Sequence, residues 1–86
     1  MLNQIKQLAR QNAADTIACR RHLHQHPELS QQEFGTMEYV AARLRDLGLE
    51  PRTGIGKTGC MALIRGGVEP ASRCVALRAD YDALPI

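Results

Sequence analysis

Aromatic side chains are scarce in this sequence: they account for 3% of its 86 residues, and tryptophan is absent. Proteins that bind single-stranded nucleic acids stack the bases on aromatic rings, so this class of function is disfavoured. The net charge is also small, because 11 Lys and Arg residues nearly balance 9 Asp and Glu residues. Such a weak, scattered positive charge supplies little field for binding a phosphate backbone. We therefore expect no nucleic-acid partner.

Long apolar runs are missing too. No uninterrupted run approaches the ~18 residues that a membrane-spanning helix needs, and residues 1–12 are too polar for a signal peptide. The sequence therefore predicts a cytoplasmic protein with no membrane partner. Cys19, Cys60 and Cys74 show no C-x-x-C spacing. This pattern indicates reduced thiols in small buried positions rather than a disulfide framework or a zinc knuckle.

The chain does have the composition of an ordinary globular protein, with 44% hydrophobic and 23% charged residues. Its length allows one small core. Apolar residues at helical spacing predict a first amphipathic helix over residues 2–24. Pro27 should end this helix, because a proline disfavours helical backbone at the residue before it. The apolar set consists of Leu2, Ile5, Leu8, Ala9, Ala13, Ile17 and Leu23.

A second helix is predicted to follow. Residues 30–33 read Ser-Gln-Gln-Glu, the S-x-x-E capping box whose serine and glutamate cap a first helical turn reciprocally. Gly35 is a poor helix former, which would move the helix start towards Thr36. Gly48 suits the left-handed position that closes a helix. The predicted buried stripe consists of Met37, Val40, Ala41, Leu44 and Leu47.

Beyond this helix the pattern becomes extended. A weak strand near residues 50–55 and an apolar strand at 59–65 are predicted to form a hairpin, followed by an apolar strand at 73–79. The expected fold class is α/β, with two helices, a hairpin and a central strand. A strand that is apolar on both faces belongs inside a covered sheet. Residues 1–86 are therefore interpreted as an incomplete part of a larger helix-covered sheet domain.

A glycine-rich loop is the first candidate functional motif. Gly54, Gly56 and Gly59 form a G-x-G-x-x-G pattern, in which backbone N–H groups can approach a pyrophosphate at a helix N-terminus. A dinucleotide site needs a strong strand before the loop and a helix after it. Here a weak strand precedes the loop and another strand follows. The favoured interpretation is a hairpin turn, and a small nucleotide-binding module is the alternative.

Three histidines form the second candidate motif. On a helix His22 and His26 share one face while His24 points elsewhere. Neutral imidazoles four residues apart can bind zinc. However, no glutamate completes an H-E-x-x-H arrangement, and the predicted helix end weakens the second ligand. Structural or partly exposed histidines are the favoured interpretation.

Two aspartates form the third candidate motif. Asp80 and Asp82 follow the last predicted strand, at the edge where ligands of open α/β sheets bind. On an extended chain both carboxylates point to the same side, where they could bind a metal, orient a ligating histidine or share a proton. Asp82 is more simply interpreted as a turn residue or a helix cap. For Asp80 the functional and the structural interpretations stay open.

Four segments together resemble a known family. They are residues 20–29 (RRHLHQHPEL), residues 40–48, the loop at 54–59, and above all residues 76–86 (ALRADYDALPI). In this order and spacing they are similar to the opening portion of metal-dependent amidohydrolases typified by hippurate hydrolase and the indole-acetyl-amino-acid hydrolases. Aminoacylases and zinc carboxypeptidases are part of the same superfamily.

The resemblance implies an enzyme that hydrolyses the amide bond of N-acyl amino acids with water activated by two divalent cations, zinc or manganese. It also implies a large α/β catalytic domain with a smaller dimerising domain inserted, and a homodimer or homotetramer. The family's metal ligands and its general-base glutamate lie beyond the segment that resembles residues 76–86. The cysteines of this chain therefore receive no ligand role, and the 86 residues alone are expected to bind no metal and to be inactive.

One residue role follows from the resemblance. Residues 78–80 (Arg-Ala-Asp) stand where related aminoacylases have His-x-Asp, which implies that Asp80 orients a metal-ligating side chain. Arg78 takes the place of the histidine ligand, and an arginine cannot coordinate a cation. The His26-Pro27-Glu28 segment is interpreted as structural. A truncated reading frame without independent function is the remaining alternative to an amidohydrolase fragment.

Overall fold

The computed structural model describes residues 1–67 and 74–84 of the chain. Three helices come first: α1 (Leu2–Gln11), α2 (Ala13–Gln25) and α3 (Phe34–Asp46). Two short strands follow, β1 (Arg52–Ile55) and β2 (Gly59–Met61), which form an antiparallel two-stranded sheet. The α/β class expected from the sequence is confirmed, although the helices number three rather than two.

The extra helix arises because the segment predicted as one helix is interrupted at Asn12. Its φ and ψ of −97° and 2° leave the helical region. The Asn12 side chain donates to the Leu8 carbonyl over 2.8 Å, and the Asn12 backbone N–H donates to the same oxygen over 3.0 Å. Asparagine competes in this way for backbone partners and so disfavours a helix interior. The prediction of a single helix over residues 2–24 was therefore wrong at this position.

Helix α2 ends where the proline predicts. Its last residue is Gln25, and His26 follows with φ −128° and ψ 62°. The His26 ring nitrogen Nδ1 lies 2.8 Å from the His22 carbonyl oxygen, one of the carbonyls that the helix end leaves without a backbone partner. Pro27 and the histidine before it thus end the helix together.

Helix α3 begins differently from the prediction. It starts at Phe34, and Glu33 stands at the N-cap without a side-chain capping hydrogen bond. The capping box at residues 30–33 was therefore wrong. Its place is taken by the Glu28 carboxylate, which accepts hydrogen bonds from the first turn of α3. Gly35 leaves room for it, because a Cβ there would stand 3.0 Å from Glu28 Oε2.

The C-terminal end of α3 confirms the predicted glycine closure. Gly48 has φ +85°, a left-handed conformation that glycine adopts without a Cβ clash. The Gly48 N–H donates to the Arg45 carbonyl over 2.9 Å, and the Leu49 N–H donates to the Leu44 carbonyl over 3.1 Å. This pair of bonds is the Schellman motif.

The hairpin after α3 was also predicted from the sequence. Arg52 pairs with Met61 and Ile55 pairs with Gly59, with a register shift near Gly54. Gly54, inside β1 at the register shift, has φ +74°, as a bulge with a left-handed glycine requires. Gly56, the first residue of the turn, has φ +59°, which suits a tight turn between strands. The second strand ends at Met61 and is therefore shorter than the predicted 59–65.

The buried core lies between α3 and the hairpin. Met37 is 8% exposed and Ala41 is fully buried, and the Met37 sulfur accepts the Gly54 N–H over 3.2 Å. Val40 and Leu44 are half-buried. Leu47, predicted as part of the same stripe, is 70% exposed, because the helix has already given way to its closing turn. The apolar side of α1 is likewise open, with Leu2, Ile5 and Leu8 more than half exposed.

The strand predicted at 73–79 is not formed by residues 74–79, and residue 73 lies outside the described residues. Val75 and Leu77 are 85% and 96% exposed. A strand needs a neighbour for its backbone hydrogen bonds, and neither β1 nor β2 pairs with this segment. Cys74 is exposed too, contrary to the expectation of a buried thiol.

Within the described ranges, 1–67 and 74–84, none of the helices is long and apolar enough to cross a membrane.

Candidate functional site

The Glu28 carboxylate is the first polar centre of the site region. It accepts the Gly35 N–H over 3.1 Å, the Thr36 N–H over 2.5 Å and the Thr36 hydroxyl over 2.6 Å. The hydroxyl bond is the largest of several effects that hold the pKa of the Glu28 carboxyl below its usual value, against a smaller opposing effect of burial. A carboxylate at a helix N-terminus is also favoured by the helix dipole. Glu28 therefore fixes the start of α3.

The same residue binds the distant segment that carries the aspartates. The Glu28 carbonyl accepts the Ala83 N–H over 2.8 Å. This bond joins the loop after α2 to a segment more than fifty residues later in the chain. Glu28 thus connects the start of α3, through its side chain, with residues 80–83, through its backbone.

A second polar connection runs through the hairpin turn. Thr58 and Glu33 are 4% and 8% exposed, and the Thr58 hydroxyl donates to Glu33 Oε1 over 3.0 Å. The Tyr81 hydroxyl donates to the Thr58 carbonyl in a short hydrogen bond. Burial is the largest effect that raises the pKa of the Tyr81 hydroxyl above its ordinary value, followed by the nearby Cys60 and Glu33. Among the described residues, no buried side-chain nitrogen or oxygen atom lacks a hydrogen-bond partner.

These contacts hold the aspartates beside an acidic cleft, which we define by the carboxylates of Glu33, Asp80 and Asp82. The cleft has a volume of about 520 Å³, and Thr58 and Tyr81 also line it. Asp80 and Asp82 both line this cleft, on an irregular segment rather than at the end of a strand.

Asp80 is engaged by one neighbour. Arg78 Nη2 donates to Asp80 Oδ1 over 3.0 Å, and the two side chains are 87% and 69% exposed. An ion pair this exposed contributes little stability, so the Asp80 carboxylate stays available to another group that enters the cleft. Asp82 is exposed as well. Its predicted role as a cap for a following helix concerns Pro85 and Ile86, which lie outside the described residues.

Two of the three histidines, His22 and His26, form a separate cluster, whereas His24 is exposed. His22 stacks on Tyr39 with ring centroids 3.8 Å apart, and His26 lies 4.5 Å from His22. They line a cavity of about 380 Å³ together with Glu28. His22 and His26 share a face, as predicted. The stacking and the hydrogen bond to the His22 carbonyl agree with the structural interpretation.

The described residues do not form a metal centre by themselves. Over residues 1–67 and 74–84, no three His, Cys, Asp or Glu side chains come close enough to hold a metal ion. The glycine loop likewise passes directly into strand β2, so it lacks the helix N-terminus that a pyrophosphate site uses. It is a hairpin turn.

The sequence analysis missed the residues that hold the aspartate segment in place. Thr58 lies in the glycine loop and Tyr81 in the 76–86 motif, but the sequence analysis gave neither residue a role. It assigned Glu33 to a helix cap that the structure does not contain. The pairing of Tyr81 with Thr58 spans 23 positions, and no local pattern encodes a contact at that distance. The one available signal was the position of Tyr81 between two aspartates.

Several named proteins are similar in sequence to most of this chain. An N-acyl-L-amino acid amidohydrolase of Geobacillus stearothermophilus is 46% identical over 83 residues, which cover 96% of this chain and 22% of that protein. An N-acetyl-L-cysteine deacetylase of Bacillus subtilis is 49% identical over 70 residues, 81% of this chain and 16% of that protein. A thermostable carboxypeptidase of Saccharolobus solfataricus is 46% identical over 71 residues, 81% and 18% of the two chains.

The chain thus spans about a fifth of the length of these relatives. No protein-family model matches it, and no solved structure matches it significantly. The names of the relatives describe hydrolases of acylated amino acids and of peptides. Their similarity over 81–96% of this chain confirms the resemblance derived from the sequence.

Proposed function

Because this chain is a homologue of amidohydrolases and carboxypeptidases, we propose that it is the amino-terminal part of an enzyme that hydrolyses the amide bond of N-acyl amino acids. Hippurate-like compounds are the substrate class that the sequence motifs favour. The observation that supports this proposal most directly is the 46% identity to an N-acyl-L-amino acid amidohydrolase over nearly the whole chain. That match covers 22% of the relative, so the whole enzyme's activity stays a proposal.

A divalent metal, zinc or manganese, belongs to the same proposal. The acidic cleft offers carboxylate oxygens, which suit hard divalent cations, but the described residues do not bring three ligands together. The proposal therefore takes the metal ligands from outside these 86 residues. When bound, such a metal would supply an activated water and polarise the scissile carbonyl.

The proposed role of Asp80 is to position a ligand. Its exposed carboxylate lines the acidic cleft and would accept the ring N–H of a histidine that enters the cleft. A carboxylate in that position fixes the ring orientation and raises the basicity of the other ring nitrogen. The two neighbouring side chains have different roles. Arg78 pairs with the Asp80 carboxylate in an exposed ion pair, and Asp82 is proposed to take no part in holding the ligand.

A chimera tests the proposal. Residues 1–86 replace the matching segment of the Geobacillus amidohydrolase, and turnover of N-benzoylglycine is measured with zinc or manganese present. We expect the chimera to retain activity, because 46% identity preserves the packing of the segment. Circular dichroism and sedimentation of the chimera establish that it is folded. A folded chimera without any turnover contradicts the proposed function.

Two matched substitutions in the chimera test Asp80. Asp80→Asn keeps the shape but removes the charge, and should lower metal affinity or turnover about 10- to 100-fold. Asp82→Asn should lower both much less, because the proposal gives Asp82 no contact with the ligand. Metal content and turnover are compared side by side. If Asp82→Asn lowers turnover or metal content more than Asp80→Asn does, the assignment of the positioning role to Asp80 is wrong.

A further inference from the structure

Residues 80–83 form neither a helix nor a strand. Two hydrogen bonds nevertheless attach this segment to the rest of the fold. At one position the Tyr81 hydroxyl donates to the Thr58 carbonyl in the hairpin turn. At the other the Ala83 N–H donates to the Glu28 carbonyl in the loop before α3. Tyr81 is half-buried while the residues before it, 74–80, are exposed. These two hydrogen bonds are therefore the points at which the aspartate segment is fixed to the fold.

Thr58, whose carbonyl accepts the Tyr81 hydrogen bond, is held in place by a second hydrogen bond. Thr58 is 4% exposed, and its hydroxyl donates to the carboxylate of Glu33, which is 8% exposed. Glu33 stands at the start of α3. A buried hydrogen bond to a carboxylate has a strongly preferred geometry. It therefore holds the Thr58 backbone, and with it the carbonyl that receives the tyrosine, against helix α3.

Residue Asp80 immediately precedes Tyr81, so the backbone position of Asp80 follows that of the tyrosine. The side chain of Asp80 is exposed and is held by Arg78 alone among the described residues. Such an exposed ion pair does not fix a side chain strongly. The direction of the Asp80 carboxylate is therefore determined mainly by where its backbone is anchored.

We propose that Tyr81, Thr58 and Glu33 are positioning residues which, through the Tyr81 hydroxyl on the Thr58 carbonyl, orient Asp80 in the acidic cleft. This inference rests on the proposed function for the role of Asp80 in the reaction. The anchoring of residues 80–83 is independent of that function. None of the three residues needs to contact substrate or metal, since they act through Asp80.

The anchoring is tested in the 86-residue chain by backbone amide hydrogen exchange. Tyr81→Phe removes the hydroxyl and should speed exchange at the Ala83 amide by roughly 2- to 13-fold, the fold-change that corresponds to the usual net free energy of one hydrogen bond. Tyr39→Phe is the matched control, because it removes a tyrosine hydroxyl on the side of α3 that lines the histidine cavity. Equal exchange at Ala83 in Tyr81→Phe and in the unsubstituted chain would overturn the inference.

A second pair of variants guards against a general loss of folding. Thr58→Val keeps the shape of the side chain but loses the hydroxyl, so Glu33 is left buried without its donor. Thr58→Ser keeps the hydroxyl. We expect faster exchange at Ala83 in Thr58→Val and recovery towards the original rate in Thr58→Ser. Similar exchange in the two variants would show that the Glu33 bond does not support the anchor.

The link to Asp80 is tested in the chimera with a double-mutant cycle. Tyr81→Phe should lower the turnover number while the KM for N-benzoylglycine stays unchanged. In the Asp80→Asn background the same substitution should cost nothing further, because the tyrosine acts through the aspartate. Additive losses would mean that Tyr81 supports the fold only, and would refute the positioning role.

The two experiments separate the two proposals. An unsubstituted chimera that is folded but inactive contradicts the proposed function, and with it any role of Asp80 in catalysis. The exchange measurements still decide whether Tyr81 and Thr58 anchor the segment. An active chimera that Tyr81→Phe leaves unaltered overturns the positioning role while the proposed function stands.

Discussion

Removal of the Glu28 carboxylate should loosen the start of helix α3. The carboxylate accepts three hydrogen bonds from Gly35 and Thr36, with distances from 2.5 to 3.1 Å. Loss of a side chain that caps a helix costs about 0.5–2 kcal/mol. Glu28 is half-buried, so in the variant water would replace some of the hydrogen bonds that the carboxylate makes to the Gly35 and Thr36 amides. We therefore expect Glu28→Ala to lower the free energy of unfolding by about 1–2 kcal/mol, and Glu28→Gln by about half of that.

The effect should depend on pH in a defined direction. The pKa of the Glu28 carboxyl is lowered from its ordinary value of 4.5, mainly by the Thr36 hydroxyl. A group whose folded pKa is depressed contributes stability that is fully present above the unfolded pKa and is lost as pH falls through the folded pKa. The start of α3 should therefore weaken on acidification from pH 4.5 downwards, and Glu28→Gln should show no such step.

Amide proton NMR is the most direct assay. The Gly35 and Thr36 amides point at the carboxylate, so their shifts should titrate together with a midpoint below 4.5. Urea unfolding followed by circular dichroism gives the change in stability. Glu38→Gln is the matched control, because Glu38 is an exposed carboxylate on the same helix. Equal stability of the two variants, or amide shifts that do not titrate, would refute the assignment of Glu28 as the cap.

Three further predictions concern the hairpin, the activity and the association of the 86-residue chain. Gly59→Ala should destabilise the hairpin by about 1–3 kcal/mol, because the added Cβ would collide with the Ile55 carbonyl. Gly66→Ala is the control, because a Cβ there would meet nothing within 4 Å. Equal melting curves of the two variants would contradict the close approach of Gly59 to Ile55. The isolated chain should show no turnover of N-benzoylglycine with or without zinc or manganese, and any rate above a metal-only blank would disprove this. Sedimentation should reveal self-association, because Ile5, Leu77 and other large apolar side chains are exposed; a strictly monomeric chain with a cooperative thermal transition would show that the fold needs no partner for these surfaces.

Several features of the fold could be predicted from the sequence because a few adjacent residues decide them. Pro27 restricts the backbone of its own neighbour, so the end of α2 was predictable. Gly48 adopts a left-handed conformation that few other residues tolerate, so the end of α3 was predictable too. The hairpin followed from its glycine loop. The family followed from residues 76–86, whose order of side chains resembles that of the amidohydrolases.

Other features depended on contacts between distant residues. Ser30 and Glu33 satisfy the pattern of a capping box, but helix α3 starts at Phe34. Glu28 caps its first turn from outside the helix by accepting the Gly35 and Thr36 N–H groups. The apolar run near Leu77 satisfies the pattern of a buried strand, but a strand also needs a partner, and β1 and β2 pair only with each other.

The sequence by itself therefore determined the C-terminal ends of α2 and α3, the hairpin turn and the family, since these depend on backbone restrictions and side-chain order within a few residues. Only the tertiary structure decided what holds Asp80 at the acidic cleft. The Tyr81 hydroxyl meets the Thr58 carbonyl across 23 positions, and the Ala83 N–H meets the Glu28 carbonyl over a longer separation. A backbone carbonyl is present at every residue. The choice of acceptor is therefore made by the packing that brings one of them within reach.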